Sequence, residues 1–152
     1  MIHLQEPTVN RGVNQLSPIA NQFSKTRRDH ASETAEDYVE AIAEILDSQQ
    51  ACRVKDLASR MAVSHVTVTR ILQRLANEGL VIKEPYGPVT LTTLGRRVAK
   101  ASRRRHELLL EFLLALGVPE ADAIRDTEGM EHHVSESTLK AMRRFLTETT
   151  NH

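Results

Sequence analysis

Residues 53–92 read RVKDLASRMAVSHVTVTRILQRLANEGLVIKEPYGPVTLT, and the hydrophobic period within that stretch switches from helical to strand-like. Over Arg53–Met61 the apolar Val54, Leu57 and Ala58 recur at helical spacing. Ala62, Val63 and Ser64 then form a tight connection, with Ser64 well suited to cap a helix N-terminus. From 65 to 78, Val68, Ile71, Leu72 and Leu75 stand at i, i+3, i+4 and i+7, one buried helical face, and Asn77-Glu78-Gly79 supplies a left-handed stop. Leu80-Val81-Ile82 and Val89-Thr90-Leu91-Thr92 are β-rich runs flanking Pro85-Tyr86-Gly87-Pro88. Proline presets φ and glycine tolerates positive φ, so the tetrapeptide predicts a turn and the runs a hairpin. Two helices joined by a short turn and followed by a hairpin make a winged helix-turn-helix, whose second helix, here 65–78, enters a DNA major groove.

Upstream, Ser32 can cap a helix over 33–48 that places Tyr38, Ile42, Ile45 and Leu46 on one face. Residues 1–30 are rich in Asn, Gln, Ser and Thr without a sustained period and read as a flexible tail, in which Lys25, Arg27 and Arg28 have no assigned role. Downstream, Leu94, Val98, Ala101, Leu108, Leu109, Phe112, Leu113 and Leu116 keep helical spacing up to Gly117. Pro119 opens a further helix through about Val134, and Ser135 begins a last one carrying Leu139, Met142, Phe145 and Leu146. The expected fold is mostly α: a tail at 1–30, a winged helix-turn-helix DNA-binding domain at 31–95, and an all-helical metal-binding and dimerisation domain at 96–152. Helices bearing apolar stripes and little else usually pair with a second copy, so a homodimer is expected.

The composition agrees. The chain has 152 residues, 40% hydrophobic and 26% charged, which excludes a large enzyme. Tryptophan is absent and aromatic content is 3%, so the core must be aliphatic, as in packed helices. The single cysteine, Cys52, rules out an internal disulfide and reads as a small buried apolar residue. There is no basic N-terminal segment leading into an apolar run, and no stretch approaches the ~20 apolar residues needed to span a bilayer. A cytoplasmic protein without membrane association is expected. The net charge of zero conceals a segregation: residues 1–52 carry −4, residues 53–105 carry +9 and residues 106–152 carry −5. A basic middle third is suited to phosphates, and acidic flanks to cations.

With its apolar face turned inward, the 65–78 helix leaves His65, Thr67, Thr69, Arg70, Gln73 and Arg74 outward, with Ser64 at its start. Together with Tyr86 at the wing tip these are the candidate contacts to double-stranded DNA. Arg70 and Arg74 suit base edges and phosphates alike. Arg103-Arg104-Arg105, on the long helix, suits phosphate contact, a solvated face or an intersubunit pair equally.

A second constellation involves acids and histidines. Glu128, Glu131 and His132 stand at i, i+3 and i+4 and so project from one helix face. Asp37 and Glu40 repeat the i, i+3 spacing, and His106 lies on the long helix, giving six oxygen and nitrogen donors. Gly129 costs roughly 1 kcal/mol in a helix, which predicts another element packed closely against this face. Each of these residues alone is as readily explained by solvated charge.

The stretches Asp37-Tyr-Val-Glu40, Val63-Ser-His-Val-Thr-Val68, Leu91-Thr-Thr-Leu-Gly95, Arg105-His-Glu-Leu-Leu109 and Asp126-Thr-Glu-Gly-Met-Glu-His-His133 carry a resemblance to the diphtheria-toxin-repressor family, in its manganese-dependent branch. It spans about Glu33 to Leu146. The resemblance implies a transcriptional repressor, not an enzyme, that regulates manganese uptake genes. It also implies that Asp37, Glu40, His106, Glu128, Glu131 and His132 hold two Mn²⁺ ions per subunit between the DNA-binding and dimerisation domains. His133 is not part of that set. Iron-responsive relatives place sulfur ligands here and carry an additional C-terminal domain. This chain offers only oxygen and imidazole and ends at His152, so manganese is expected, with Fe²⁺ or another divalent ion as the alternative. The wing tip lacks the Arg beside the turn Gly that is common in that branch. No small organic substrate is implied.

Two rival readings exist. A carboxylate-bridged dimetal enzyme would use the same donors, yet leaves the winged helix and the basic middle unexplained, and His106-Glu107 lacks the second histidine of a zinc-protease motif. A metal-independent winged-helix regulator leaves the acid–histidine set without a role.

Overall fold

The computed structural model describes residues 18–150. In chain order the elements are α1 (Pro18–Ser48), α2 (Val54–Met61), α3 (His65–Asn77), β1 (Val81–Lys83), β2 (Val89–Leu91), α4 (Thr93–Ala115), α5 (Glu120–Met130) and α6 (Glu136–Thr150). No helix among the described residues is long and apolar enough to cross a membrane.

The winged helix-turn-helix forms as the periodicity requires. Ser64 Oγ accepts the Thr67 backbone N–H at 3.1 Å, capping α3, and Gly79 takes φ +72° beyond its other end. Val68, Leu72 and Leu75 are fully buried and join Tyr38, Val39 and Ile42 of α1, Leu57 of α2 and Val81, Val89 and Leu91 of the hairpin in one core. The hairpin is antiparallel, with Val81 opposite Leu91 and Lys83 opposite Val89. Cys52 extends it, its carbonyl accepting the Val89 N–H at 2.8 Å. Buried as the sequence implied, the Cys52 thiol is pushed up to about 11 by desolvation, with a further contribution from Asp56.

The wing is locked to α4 at one backbone crossing. Thr92 caps α4 by accepting the Gly95 N–H at 3.0 Å, and its hydroxyl donates to the Gly79 carbonyl at 2.6 Å. A Cβ on Gly95 would lie 2.0 Å from the Leu80 carbonyl oxygen, so only glycine permits this approach. Beyond it, α4 packs on α5 and α6, forming a second core of Leu108, Leu109, Leu139, Met142 and Leu146. Phe112 and Phe145 meet edge to face there, with ring centroids 5.4 Å apart.

Three expectations need correction. Residues 18–30 belong to α1, so the helix begins fifteen residues before 33 and the tail reading fails over that span; residues 1–17 lie outside the described residues. The early start is physically reasonable, because Pro18 suits a first helical position and Gln22, Lys25, Arg27 and Arg28 are good helix formers. Ser32, expected as the cap, is tolerated inside. Second, α5 stops at Met130 rather than near Val134, with Glu131 as its cap residue in helical conformation. Third, α4 and α1 do meet the face of Glu128, Glu131 and His132, but nothing lies within 4 Å of a Cβ built on Gly129, so the glycine itself is not what admits them.

Candidate metal centre and nucleic-acid interface

All six predicted donors line one cleft of about 630 Å³, bounded by α1, α4 and the end of α5. Asp37 and Glu40 come from one face of α1 because they are three residues apart, and His106 comes from the middle of α4. Glu128 stands on the last turn of α5, with Glu131 and His132 just beyond it. One donor atom from each of Asp37, Glu131 and His132 lies within 4.8 Å of the others. His132 Nε2 is 3.2 Å from Asp37 Oδ1 and 3.4 Å from Glu131 Oε1. Donors bound at about 2.1 Å to one first-row cation sit roughly 3–4.2 Å apart, so this trio already approaches a coordinating arrangement.

The other three donors surround it. His106 Nδ1 lies 2.7 Å from Glu131 Oε2 and 3.8 Å from Glu128 Oε1, so its Nδ1 is the ring atom presented to the cluster. Glu40 Oε2 accepts from the buried Ser102 hydroxyl at 3.0 Å, which fixes that carboxylate over α4. Charge explains the collapse of imidazoles onto acids. Burial pushes the Asp37 carboxyl above the usual range against the pull of His132, with Glu36, Glu128 and Glu33 adding repulsion. Burial likewise raises Glu131, which is only 4% exposed, although hydrogen bonding and charge from His106 and then charge from His132 oppose it. For His132, burial works downward and is outweighed by its hydrogen bond to Glu36 and by the charges of Asp37, Glu131 and Glu36, so its net shift is upward. Carboxylates facing imidazoles, with Glu131 among them buried, make an all-oxygen-and-nitrogen donor set that fits a hard divalent cation.

Ion pairs give the basic run on α4 a role that the sequence left open. Arg103 pairs with Glu44 and Asp47 of α1, and Arg105 pairs with Glu36 of α1. Arg60 of α2 also pairs with Glu44. Glu36 and Ser102 were not singled out by motif spacing, since each contacts a donor on another element, His132 and Glu40 respectively, rather than extending its pattern.

On α3, His65, Thr69 and Arg70 are exposed, as is Tyr86, which occupies the wing tip with φ +58°. Ser64 and Thr67 are engaged in the cap, their hydroxyls 2.9 Å apart, and Arg74 pairs with Glu78 at 3.5 Å. A groove beside α3 is lined by Arg53, Lys55, His65, Thr69, Lys83 and Tyr86, adding three basic residues that periodicity alone did not single out. Val66, 79% exposed, places an apolar branched side chain on the first turn of the same helix.

Comparisons with known proteins bear on both sites. The family model described as the iron dependent repressor N-terminal DNA binding domain matches residues 30–89, and that of the iron dependent repressor metal binding and dimerisation domain matches residues 92–152. The chain is 46% identical over 123 residues to the transcriptional regulator MntR of Escherichia coli O157:H7, covering 81% of this chain and 79% of that one. It is 38% identical over 104 residues to the HTH-type transcriptional regulator MntR of Bacillus subtilis (strain 168), covering 68% and 73%. A solved manganese-dependent transcriptional repressor in complex with manganese matches with a TM-score of 0.66 at 37% identity over 74% of this chain. The manganese regulator SloR matches with a TM-score of 0.65 at 30% identity over the same share. The chain spans about half the length of these two solved proteins, 52% and 53%.

Proposed function

The chain belongs to the iron-dependent repressor family, and from that premise we propose that it is a Mn²⁺-activated transcriptional repressor that binds double-stranded operator DNA as a homodimer. The observation that carries this reading is the all-oxygen-and-nitrogen donor set at the junction of α1, α4 and the end of α5, attached through α1 to a winged helix. The similar solved structures of a manganese regulator and a manganese-dependent repressor support the choice of metal.

Asp37, Glu40, His106, Glu128, Glu131 and His132 would hold the cation, with two ions per subunit expected. The bound cation supplies positive charge that offsets the carboxylates. In the structure His106 lies between Glu128 and Glu131, and His132 between Asp37 and Glu131. Glu40 meets Ser102 of α4, and Asp37 meets His132 just beyond α5. At the other end, His65, Thr69 and Arg70 face base edges, Val66 offers an apolar surface to a thymine methyl group, and Arg53, Lys55 and Lys83 face phosphates. The genes controlled are those of manganese uptake.

The test is capture of fragments of the source genome by the purified protein, in chelator and in Mn²⁺, followed by sequencing. Discrete fragments retained only with Mn²⁺ are expected. Equal retention in chelator would overturn metal activation, and no retention in either condition would overturn DNA binding.

A further inference from the structure

The two nitrogens of His132 face different groups. Nε2 points to Asp37 and Glu131, whereas Nδ1 lies 3.0 Å from Glu36 Oε2. A neutral imidazole offers a cation one lone pair, and the hydrogen bond made by the other nitrogen decides which. With the Nδ1 proton donated to the acceptor-only carboxylate of Glu36, the Nε2 lone pair is directed at the cleft.

Glu36 is itself held in place. The same Oε2 accepts from Arg105 of α4, and both side chains are about four-fifths buried, at 22% and 21% exposure. Glu36 is not among the residues lining the cleft and contributes no atom to the donor trio, which separates it from the adjacent Asp37. Arg105 precedes His106, so the helix that presents one donor also anchors the carboxylate orienting another. A chain Arg105–Glu36–His132 thus joins α4, α1 and the turn after α5.

We infer that Glu36 is a positioning residue of the metal centre, accepting the His132 Nδ1 proton so that Nε2 faces the cation, with Arg105 holding the carboxylate. This rests on the reading of His132 as a ligand. Loss of such an outer partner typically weakens metal binding by about 10- to 100-fold.

The experiment compares wild type, Glu36→Ala and Glu36→Gln. Mn²⁺ uptake is measured from the spin-resonance signal of free Mn²⁺. The His132 tautomer is read in the metal-free protein at mildly alkaline pH from nitrogen–proton correlations of the ring, assigned with His132→Gln. Wild type is expected to carry its proton on Nδ1. Glu36→Ala should lose that preference and about 10- to 100-fold in Mn²⁺ affinity. Glu36→Gln, whose amide oxygen still accepts from Nδ1, should keep the tautomer and restore most of the affinity. Thermal melts by circular dichroism establish that each variant is folded. If Glu36→Gln is as weak as Glu36→Ala, charge rather than positioning is at work and the inference fails. If wild type and Glu36→Ala bind Mn²⁺ equally, the role of Glu36 alone is refuted. If wild type takes up no Mn²⁺, the metal reading falls, and the role of Glu36 with it.

Discussion

Replacing Glu131 by glutamine separates what this residue does for the metal from what it does for the fold. Glu131 is the one buried carboxylate among the described residues. Its pKa is raised because desolvation outweighs the pull of His106 and His132. A carboxyl whose folded-state pKa lies above its unfolded value destabilises the fold when ionised, at pH above the folded value. The penalty disappears as pH falls through the folded pKa and is absent below the ordinary glutamate value of about 4.3. The metal-free Glu131→Gln protein should therefore melt at or above the wild-type temperature at neutral pH, with the two converging in acid. With Mn²⁺ the order reverses. Binding to the folded state alone at 100 times the dissociation constant stabilises by about 2.7 kcal/mol. At about 2–4 °C per kcal/mol for a chain of this size, the wild type should gain roughly 5–11 °C. The variant should gain less than about 2 °C under the same conditions. Melts in chelator and in Mn²⁺ across pH measure both effects. A variant that melts well below wild type in chelator, yet gains as much from Mn²⁺, would show that Glu131 is a structural acid and not a ligand.

Gly95→Ala forces a Cβ to within 2.0 Å of the Leu80 carbonyl oxygen, which also accepts from the Thr92 N–H at 3.1 Å, so backbone on both sides must move. A loss of about 1–3 kcal/mol or more is expected, read as a fall in melting temperature with weakened DNA binding, and an unchanged melt would contradict the close approach. Arg70→Ala should weaken operator binding by about 1–3 kcal/mol while leaving Mn²⁺ uptake intact; titrations at several salt concentrations distinguish phosphate from base contact, and unaltered DNA affinity would remove Arg70 from the interface. Cys52, buried with its thiol pushed up to about 11, should react with a thiol reagent only after unfolding, and rapid labelling of the native protein would contradict its burial.

The winged helix was legible because its signals are local. Ser64, the Val68–Leu75 stripe, Gly79 and the Pro85–Pro88 turn each act within a few residues, and the structure follows them closely. The start of α1 was not, because Ser32 is an adequate cap residue but nothing in the chain makes it cap, and helix formers continue upstream to Pro18. The six candidate donors were identifiable through i, i+3 spacing and family motifs, and they do line one cleft. Their partners were not: Ser102 reaches Glu40 across 62 residues, Arg105 reaches Glu36 across 69, and His132 reaches Glu36 across 96, distances over which spacing carries no information. Gly129 pointed to no contact of its own for a related reason, since a glycine records freedom to be approached without requiring that anything approach.

The order of residues Asp37-Tyr38-Val39-Glu40 accounts for how a cation can alter DNA binding at a distance. Tyr38 and Val39 are 2% and 0% exposed and sit in the same core as Leu57, Val68, Leu72 and Leu75, the residues that seat α2 and α3. Asp37 and Glu40 flank them on the cleft side of the same turn. Packed interiors transmit displacement because they have little free volume, so α1 cannot shift at Asp37 without shifting the seat of α3. On the proposed reading, a cation that draws Asp37 and Glu40 to the candidate donors of α4 and the end of α5 would restrain α3 relative to α4–α6. Such coupling is reciprocal: whatever factor Mn²⁺ adds to operator affinity, operator DNA must add to Mn²⁺ affinity. Mn²⁺ titrations with and without captured operator should show that equal factor, and a Mn²⁺ affinity indifferent to DNA would refute α1 as the link.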